Sequence, residues 1–379
     1  MKVLIAIDSF KGSLSSLDAG LAIKEGIQDV FQDAEIITLP LADGGEGTVE
    51  AIVHAKQGEI IEKEVTGPLG EKIQATYGRI GKDSAVIEIA SACGLPLVSE
   101  EKKNPAFTTT FGVGELILDG IDKGCREFTI GLGGSSTNDA GLGMLQALGF
   151  SFLDERNKEV GLGGIELHKI RTIDVSRVNP RLKECTFKVA CDVHNPLYGE
   201  NGASYVFGPQ KGATPEMVLE LDAGLKHFAE LTYDQLNRDI QRIPGAGAAG
   251  GLGAAFAGFM NGKLLSGAEL LIETMDVETQ LENTDFVITG EGRLDGQTSM
   301  GKTPLEVAKM AAKHNIPVIA LAGGVTRQAS VLNDLGITSY FSIINEPMTL
   351  DRAMETEITY TNLRLAAEQL FRLIYAIKQ

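Results

Sequence analysis

The chain has 379 residues, with 51 Asp and Glu against 34 Lys and Arg, a formal net charge of −17. That balance excludes the basic face from which nucleic-acid binders draw most of their affinity, and a polybasic membrane surface with it. The length suits two domains, or one large domain with an insertion, and 43% hydrophobic residues supply a real core.

No window approaches 18 consecutive apolar residues, so no spanning helix is expected. The opening apolar run stops at Asp8, short of a signal-peptide core, which points to the cytoplasm. Cys93, Cys125, Cys185 and Cys191 lie far apart, without a CxxC or a Cys/His pair at zinc spacing, as in a reduced protein. With no Trp and 6% aromatics, a platform for stacked bases is not expected. There are 45 glycines, about 12% of the chain against a usual share of about 7%. They cluster beside Asp, Ser, Thr and Glu, where backbone comes close to something.

In chain order, residues 2–7 read as a buried parallel strand ending at Asp8. Ser15 and Asp18 then offer a helix cap and an acidic first turn, with Leu17, Leu21, Ile23 and Ile27 at roughly helical spacing. Strand 35–39 and a helix over 46–55 complete a βαβα opening, the mark of a parallel sheet. Residues 59–66, 72–80 and 84–90 alternate as neighbouring antiparallel strands do, with turns at Gly67-Pro68 and Gly81-Lys82-Asp83. A helix over 111–122, strand 127–131 and a helix over 138–148 follow. The middle third is less regular, with strand 186–191, a helix over 215–234 begun by Pro215, and glycine-rich 245–253 running into helix 254–260. Strict alternation then returns: strand 285–289, helix 304–314, strand 317–322, helix 326–334, strand 338–343 and a long helix over 354–377. The expected fold class is α/β. A discontinuous doubly wound (Rossmann-like) domain from residues 1–70 and 280–379 carries an inserted mixed α/β domain, residues 71–279, with soft boundaries.

Open parallel sheets bind ligands outside the carboxyl ends of their strands, and four glycine-and-acid segments follow expected strands. In Asp8-Ser9-Phe10-Lys11-Gly12-Ser13, a lysine sits in a small-residue turn before a helix: an anion or substrate loop, or a helix cap with a solvated lysine. Pro40 to Thr48 sets three glycines around Asp43 and Glu46, more than a turn requires; such carboxylates hold hydroxyls, a magnesium ion or a reacting proton. Gly131 to Gly141 brings glycines, Ser135, Ser136 and Thr137 to the start of a helix, the strongest phosphate-loop signal in the chain. In Thr289 to Pro304, residues 296–303 match the Walker A expression G-x4-G-K-[ST]. There Glu291 to Asp295 separate the expected strand from the first glycine, and a clear Walker B strand is missing, which argues against a P-loop. Arg293 and Lys302 still look placed for an anion. A further strand end, Cys191-Asp192-Val193-His194-Asn195-Pro196-Leu197, offers Asp192 as a base or metal ligand. No G-x-S-x-G elbow and no G-x-G-x-x-G after the first strand occur, which disfavours an α/β-hydrolase and a nicotinamide enzyme.

Five of these segments, in order, resemble the signature blocks of the bacterial glycerate kinase type 1 family: Asp8 to Ser13, Ala42 to Thr48, Gly131 to Gly141, Cys191 to Leu197 and Thr289 to Pro304. Each is weak alone; together they span nearly the whole chain. The resemblance implies a two-domain α/β kinase with its active site in the cleft between domains, using ATP and Mg²⁺ on D-glycerate, with 2-phosphoglycerate the expected product. In that family the last block runs Gly-Lys-x-Pro, so the Walker A match reads as coincidence.

Phosphoryl transfer needs positioning and charge stabilisation more than a covalent partner. Lys11 and Arg293 are the expected carboxylate clamp, with Asp8 and Asn195 as further substrate-binding residues. Asp192 is the expected general base, with Asp43 and Asp295 as rivals. Gly133, Gly134, Ser135, Ser136 and Thr137 are expected at the ATP phosphates, with Lys302 as a further nucleotide contact. Asp139, Asp43 or Glu291 would meet Mg²⁺. The expected partners are D-glycerate and ATP, with no nucleic acid and no membrane, for a monomer or homodimer. A P-loop NTPase using residues 296–303 and a non-enzymatic two-domain binder of small acids remain as alternatives.

Overall fold

The computed structural model describes residues 1–41, 47–296 and 303–378. Among these the strands are β1 (Lys2–Ile7), β2 (Glu35–Pro40), β3 (Glu59–Thr66), β4 (Lys72–Ile80), β5 (Ser84–Glu88), β6 (Glu127–Gly131), β7 (Ser151–Leu153), β8 (Thr172–Asp174), β9 (Thr186–Ala190), β10 (Lys263–Leu265), β11 (Phe286–Leu294), β12 (Val318–Val325) and β13 (Ser339–Ser342). The chain divides into two units. The first is built from both chain ends, from Met1 and from Leu271 onward, with His54–Lys56; the second takes the stretch up to Val53 and Gln57–Leu270.

The first unit holds a five-stranded sheet in the order β13-β12-β11-β1-β2, parallel throughout. Val3 to Ile7 are fully buried, as a continuous apolar run should be when helices cover both faces. The helix Ser16–Gln28 starts where Ser15 accepts the Asp18 N–H at 3.1 Å. It packs against the helix Thr356–Lys378, with Ile23, Ile27, Leu363 and Phe371 in the shared core. At Gly26 a Cβ would stand 2.2 Å from Arg364 O, so that approach requires glycine. Strand order reverses between β1 and β11, which makes their carboxyl ends the switch point of the sheet.

The second unit holds a six-stranded sheet, β10-β9-β6-β5-β4-β3. β10, β9, β6 and β5 are parallel, while β4 and β3 run antiparallel to their neighbours. Tyr77, Ile87, Phe128, Phe152, Phe228 and Phe256 fill its core. The helix Pro215–Leu236 has Pro at its start, Thr214 accepting the Met217 N–H at 3.3 Å, and left-handed Asn237 at its end.

Several elements differ from the sequence reading. β3 falls within the expected first-domain range 1–70 but pairs along its whole length with β4 in the second unit's sheet, as the antiparallel alternation of 59–66 with 72–80 suggested. The expected strand 84–90 stops at Glu88, and a short helix, Ala90–Cys93, follows. The expected helix over 138–148 shrinks to Leu142–Ala147. Arg327–Leu335 is a 3-10 helix. β11 continues to Leu294, five residues past the expected end, pairing Glu291 with Ala322 and Arg293 with Gly324. One of the glycines that suggested a loop there serves close strand contact: at Gly290 a Cβ would lie 1.9 Å from Leu321 O.

Candidate active site

In the first unit, the site residues gather at the switch point. Ile7 pairs with Gly290, and the Asp8 N–H donates to Gly290 O at 3.0 Å. Asp8 and Glu291 are thus next in register, and both are buried. Ser9 N–H donates to Asp8 Oδ1 at 2.6 Å, orienting that carboxylate. After Ser9 the chain makes a tight turn in which Phe10 and Leu14 exchange backbone hydrogen bonds of 2.9 and 3.0 Å. Both side chains are buried, so they anchor the turn. Gly12, at φ +77°, allows its tip, and Lys11 is exposed beside it. On β11, Arg293 is exposed and its guanidinium lies 3.6 Å from the half-buried Asp295 carboxylate. Asp8, Lys11, Glu291, Arg293 and Asp295 therefore share one end of one sheet. Asp43 and Lys302 lie outside the described residues.

In the second unit, the segment after β6 differs from the expected hydroxyl-lined cradle. Only Gly133 and Gly134 are exposed; Ser135, Ser136, Thr137, Asn138 and Asp139 are buried. The Ser136 N–H and O–H both donate to Cys93 O at 2.9 Å. Thr108 Oγ1 donates to Ser136 O at 2.9 Å, and Asn138 Nδ2 donates to Ser204 Oγ at 2.9 Å. The side chains brace the loop from behind and leave a glycine crest outward. The helix that follows has six residues and starts well past the crest, so its dipole is not the anion-binding element expected from the sequence.

Asp139 also has another role than the expected metal ligand. It is fully buried, and its carboxylate accepts from Thr110 N–H (3.0 Å), Thr110 Oγ1 (2.9 Å), Gly141 N–H (3.1 Å) and Gly143 N–H (3.3 Å). It ties the base of the loop to the start of the helix Phe111–Asp122. Burial pushes its carboxyl above the usual range, against the pull of those hydrogen bonds.

Asp192 and Asn195 follow β9. Asp192 is exposed and its Oδ1 accepts the Gly267 N–H at 2.8 Å, which orients it. Asn195 instead spends its amide on Asn201 O at 2.8 Å, bracing its own loop. Cys191 donates its thiol to Val193 O at 3.2 Å, and burial pushes the thiol up, as for a structural cysteine.

Sequence reasoning missed Lys211. Its side chain is buried, with Nζ donating to Ser135 Oγ at 2.8 Å and to Thr137 O at 2.7 Å. Burial pushes the amine down to about 8. A lysine 76 residues from its partner gives no local signal; the one available cue was a Lys-Gly pair in a turn.

A sequence profile described as the glycerate kinase family matches residues 3–375. The chain belongs to the glycerate kinase family. The glycerate 2-kinase of Escherichia coli K12 is 48% identical over 354 residues, 93% of each chain. A glycerate kinase of Haemophilus influenzae is 50% identical over 347 residues, covering 91% of this chain and 92% of its own. A crystal structure from Salmonella typhimurium LT2, described as that of a glycerate kinase 2, superposes with a TM-score of 0.92 at 45% identity, covering 100% of this chain and 99% of the other. The chain is therefore a glycerate kinase enzyme of mixed α/β fold. In this glycerate kinase the Walker A match follows a strand more closely than its sequence suggests. β11 ends two residues before Gly296, and the helix Thr303–Lys313 begins at the last motif position. Of the gap that argued against a P-loop, Glu291 to Leu294 is strand. Family membership, rather than strand context, is what sets the NTPase reading aside. Among the described residues no helix is long and apolar enough to cross a membrane.

Proposed function

We propose that the enzyme transfers the γ-phosphoryl group of ATP to the 2-hydroxyl of D-glycerate, giving 2-phosphoglycerate. The observation that carries this reading is the likeness to glycerate kinases along essentially the whole chain. Lys11 and Arg293 are assigned to the substrate carboxylate, where a guanidinium makes paired hydrogen bonds. Asp8 is assigned to a glycerate hydroxyl. Gly133 and Gly134 offer the ATP phosphates a side-chain-free approach.

Asp192 is assigned as the base, with Asp43 and Asp295 as rivals. Its carboxylate takes the proton of the attacking hydroxyl; the new O–P bond forms as the bond to the β-phosphate oxygen breaks, and that electron pair leaves with ADP. Mg²⁺ enters with ATP as part of the substrate and neutralises phosphate charge. Glu291 is the carboxylate assigned to meet it, with Asp43 as the rival. Among the described residues no group of three or more His, Cys, Asp and Glu is arranged for a metal. One or two carboxylates suit magnesium, which keeps waters and phosphate oxygens.

The test is ADP release from MgATP with and without D-glycerate, followed by proton-coupled phosphorus NMR of the product. ADP release should depend on glycerate, with slow hydrolysis in its absence, and the product phosphorus should be a doublet from one neighbouring proton. A triplet would move the phosphate to the 3-hydroxyl. Rapid ADP release without glycerate would sink the kinase reading.

A further inference from the structure

The exposed crest at Gly133–Gly134 is held from beneath by a charge that the sequence reading did not foresee. Lys211 closes the 3-10 turn Pro209–Lys211, and left-handed Gly212 (φ +92°) then turns the chain against the Lys103 backbone. The Lys211 side chain runs inward to Ser135, the residue next to the crest. Both hydrogen-bond partners of its amine, the Ser135 hydroxyl and the Thr137 carbonyl, are uncharged. The titratable groups that face it are Asp139 from the loop and Cys93 from the helix Ala90–Cys93. Burial pushes the Cys93 thiol up to about 12, which keeps it neutral, while the Asp139 carboxylate is already occupied by four hydrogen-bond donors of its own. On the neighbouring segment, the Lys103 amine is taken by Glu100. A buried ammonium hydrogen-bonded only to uncharged groups is costly, and an anion bound nearby offsets part of that cost.

We infer that Lys211 is the buried cation of the phosphate loop, fixing the Ser135–Thr137 turn and supplying the counter-charge for a phosphate seated at Gly133–Gly134. It is a positioning residue, and the inference rests on the crest being the seat of the ATP phosphates. The amine, near 8 in the empty protein, should be drawn to its charged form by the phosphates. MgADP binding should then take up a proton near pH 8 and weaken as pH rises above it. The sign for stability is opposite. Between about 8 and the ordinary 10.5, the unfolded chain holds a proton that the empty fold has lost, so the empty protein gains stability as pH rises through that window.

The experiment is calorimetric titration of the full-length enzyme with MgADP, and separately with D-glycerate, in two buffers of different ionisation enthalpy near pH 8. Lys211→Gln keeps an N–H for Ser135 or Thr137 but removes the charge. It should weaken MgADP about tenfold to a hundredfold, abolish proton uptake, and leave D-glycerate binding unchanged. Unchanged MgADP affinity in Lys211→Gln would overturn the inference. Gly133→Asp separates the two readings by placing a like charge on the crest itself. If it blocks MgADP while Lys211→Gln does not, the crest stands and the lysine assignment fails. If it leaves MgADP binding intact, the crest is not the phosphate seat and both fail. Should Lys211→Gln not fold, the wild-type enzyme still decides: binding without proton uptake near pH 8 overturns the inference.

Discussion

Asp192→Asn should lower kcat by about 10²- to 10⁴-fold, the usual range for a lost general base, and change the KM values far less. The structure makes this substitution informative. Asp192 Oδ1 receives the Gly267 N–H at 2.8 Å, and the Asn side chain retains an oxygen for that donor. What it loses is the capacity to accept a proton from the attacking hydroxyl. The melting temperature should therefore stay within a few degrees of wild type, while product formation under saturating MgATP and D-glycerate collapses. If Asp192→Asn turns over at near wild-type rate, the base lies elsewhere, and Asp295→Asn is the next variant to measure.

The largest stability effect is expected at Asp139. Four donors converge on its buried carboxylate, three of them backbone N–H groups of buried residues. Removing the acceptor strands these donors, and each stranded donor costs about 1–3 kcal/mol. Neighbouring losses do not add fully, so Asp139→Ala should destabilise the enzyme by about 3–5 kcal/mol, the range of a broken buried network. Denaturant melts should show it as a lower midpoint. A residue placed to bind magnesium would behave otherwise: its loss would spare the fold and raise the metal requirement. An Asp139→Ala protein with wild-type stability would return the residue to the list of metal ligands.

Much of the architecture could be read in the sequence where burial and repetition make it loud. The apolar run before Asp8 is legible because a strand covered on both faces has no polar position to fill, and Val3 to Ile7 are indeed fully buried. The alternation over 59–80 is legible because β3 and β4 pair antiparallel in an uninterrupted ladder. Glycine was the ambiguous letter. At Gly290 it marks close strand contact rather than a turn, and local sequence does not distinguish the two. β7, β8 and β10 have three residues each, too few to display a period. At the candidate site, the places of Asp8 and Asp192 just past parallel strands were legible, whereas Arg293, expected in a loop, lies within β11. The direction of side chains was not legible. Ser136 and Asn138 turn inward because of partners at Cys93 and Ser204, far along the chain, and Lys211 joins Ser135 across a similar gap.

The place of β1 in its sheet has a consequence for how the protein is made. β1 lies between β2, which leaves the ribosome soon after it, and β11, which follows ~280 residues later; at about 5–20 residues per second that is roughly 15–60 seconds of synthesis. Throughout that interval one edge of the most apolar strand in the first unit lacks its native neighbour, while the whole of Gln57–Leu270 emerges. Nascent chains stalled before Phe286 should accordingly be held by chaperones and aggregate on release more than chains long enough to have completed β11, β12 and β13.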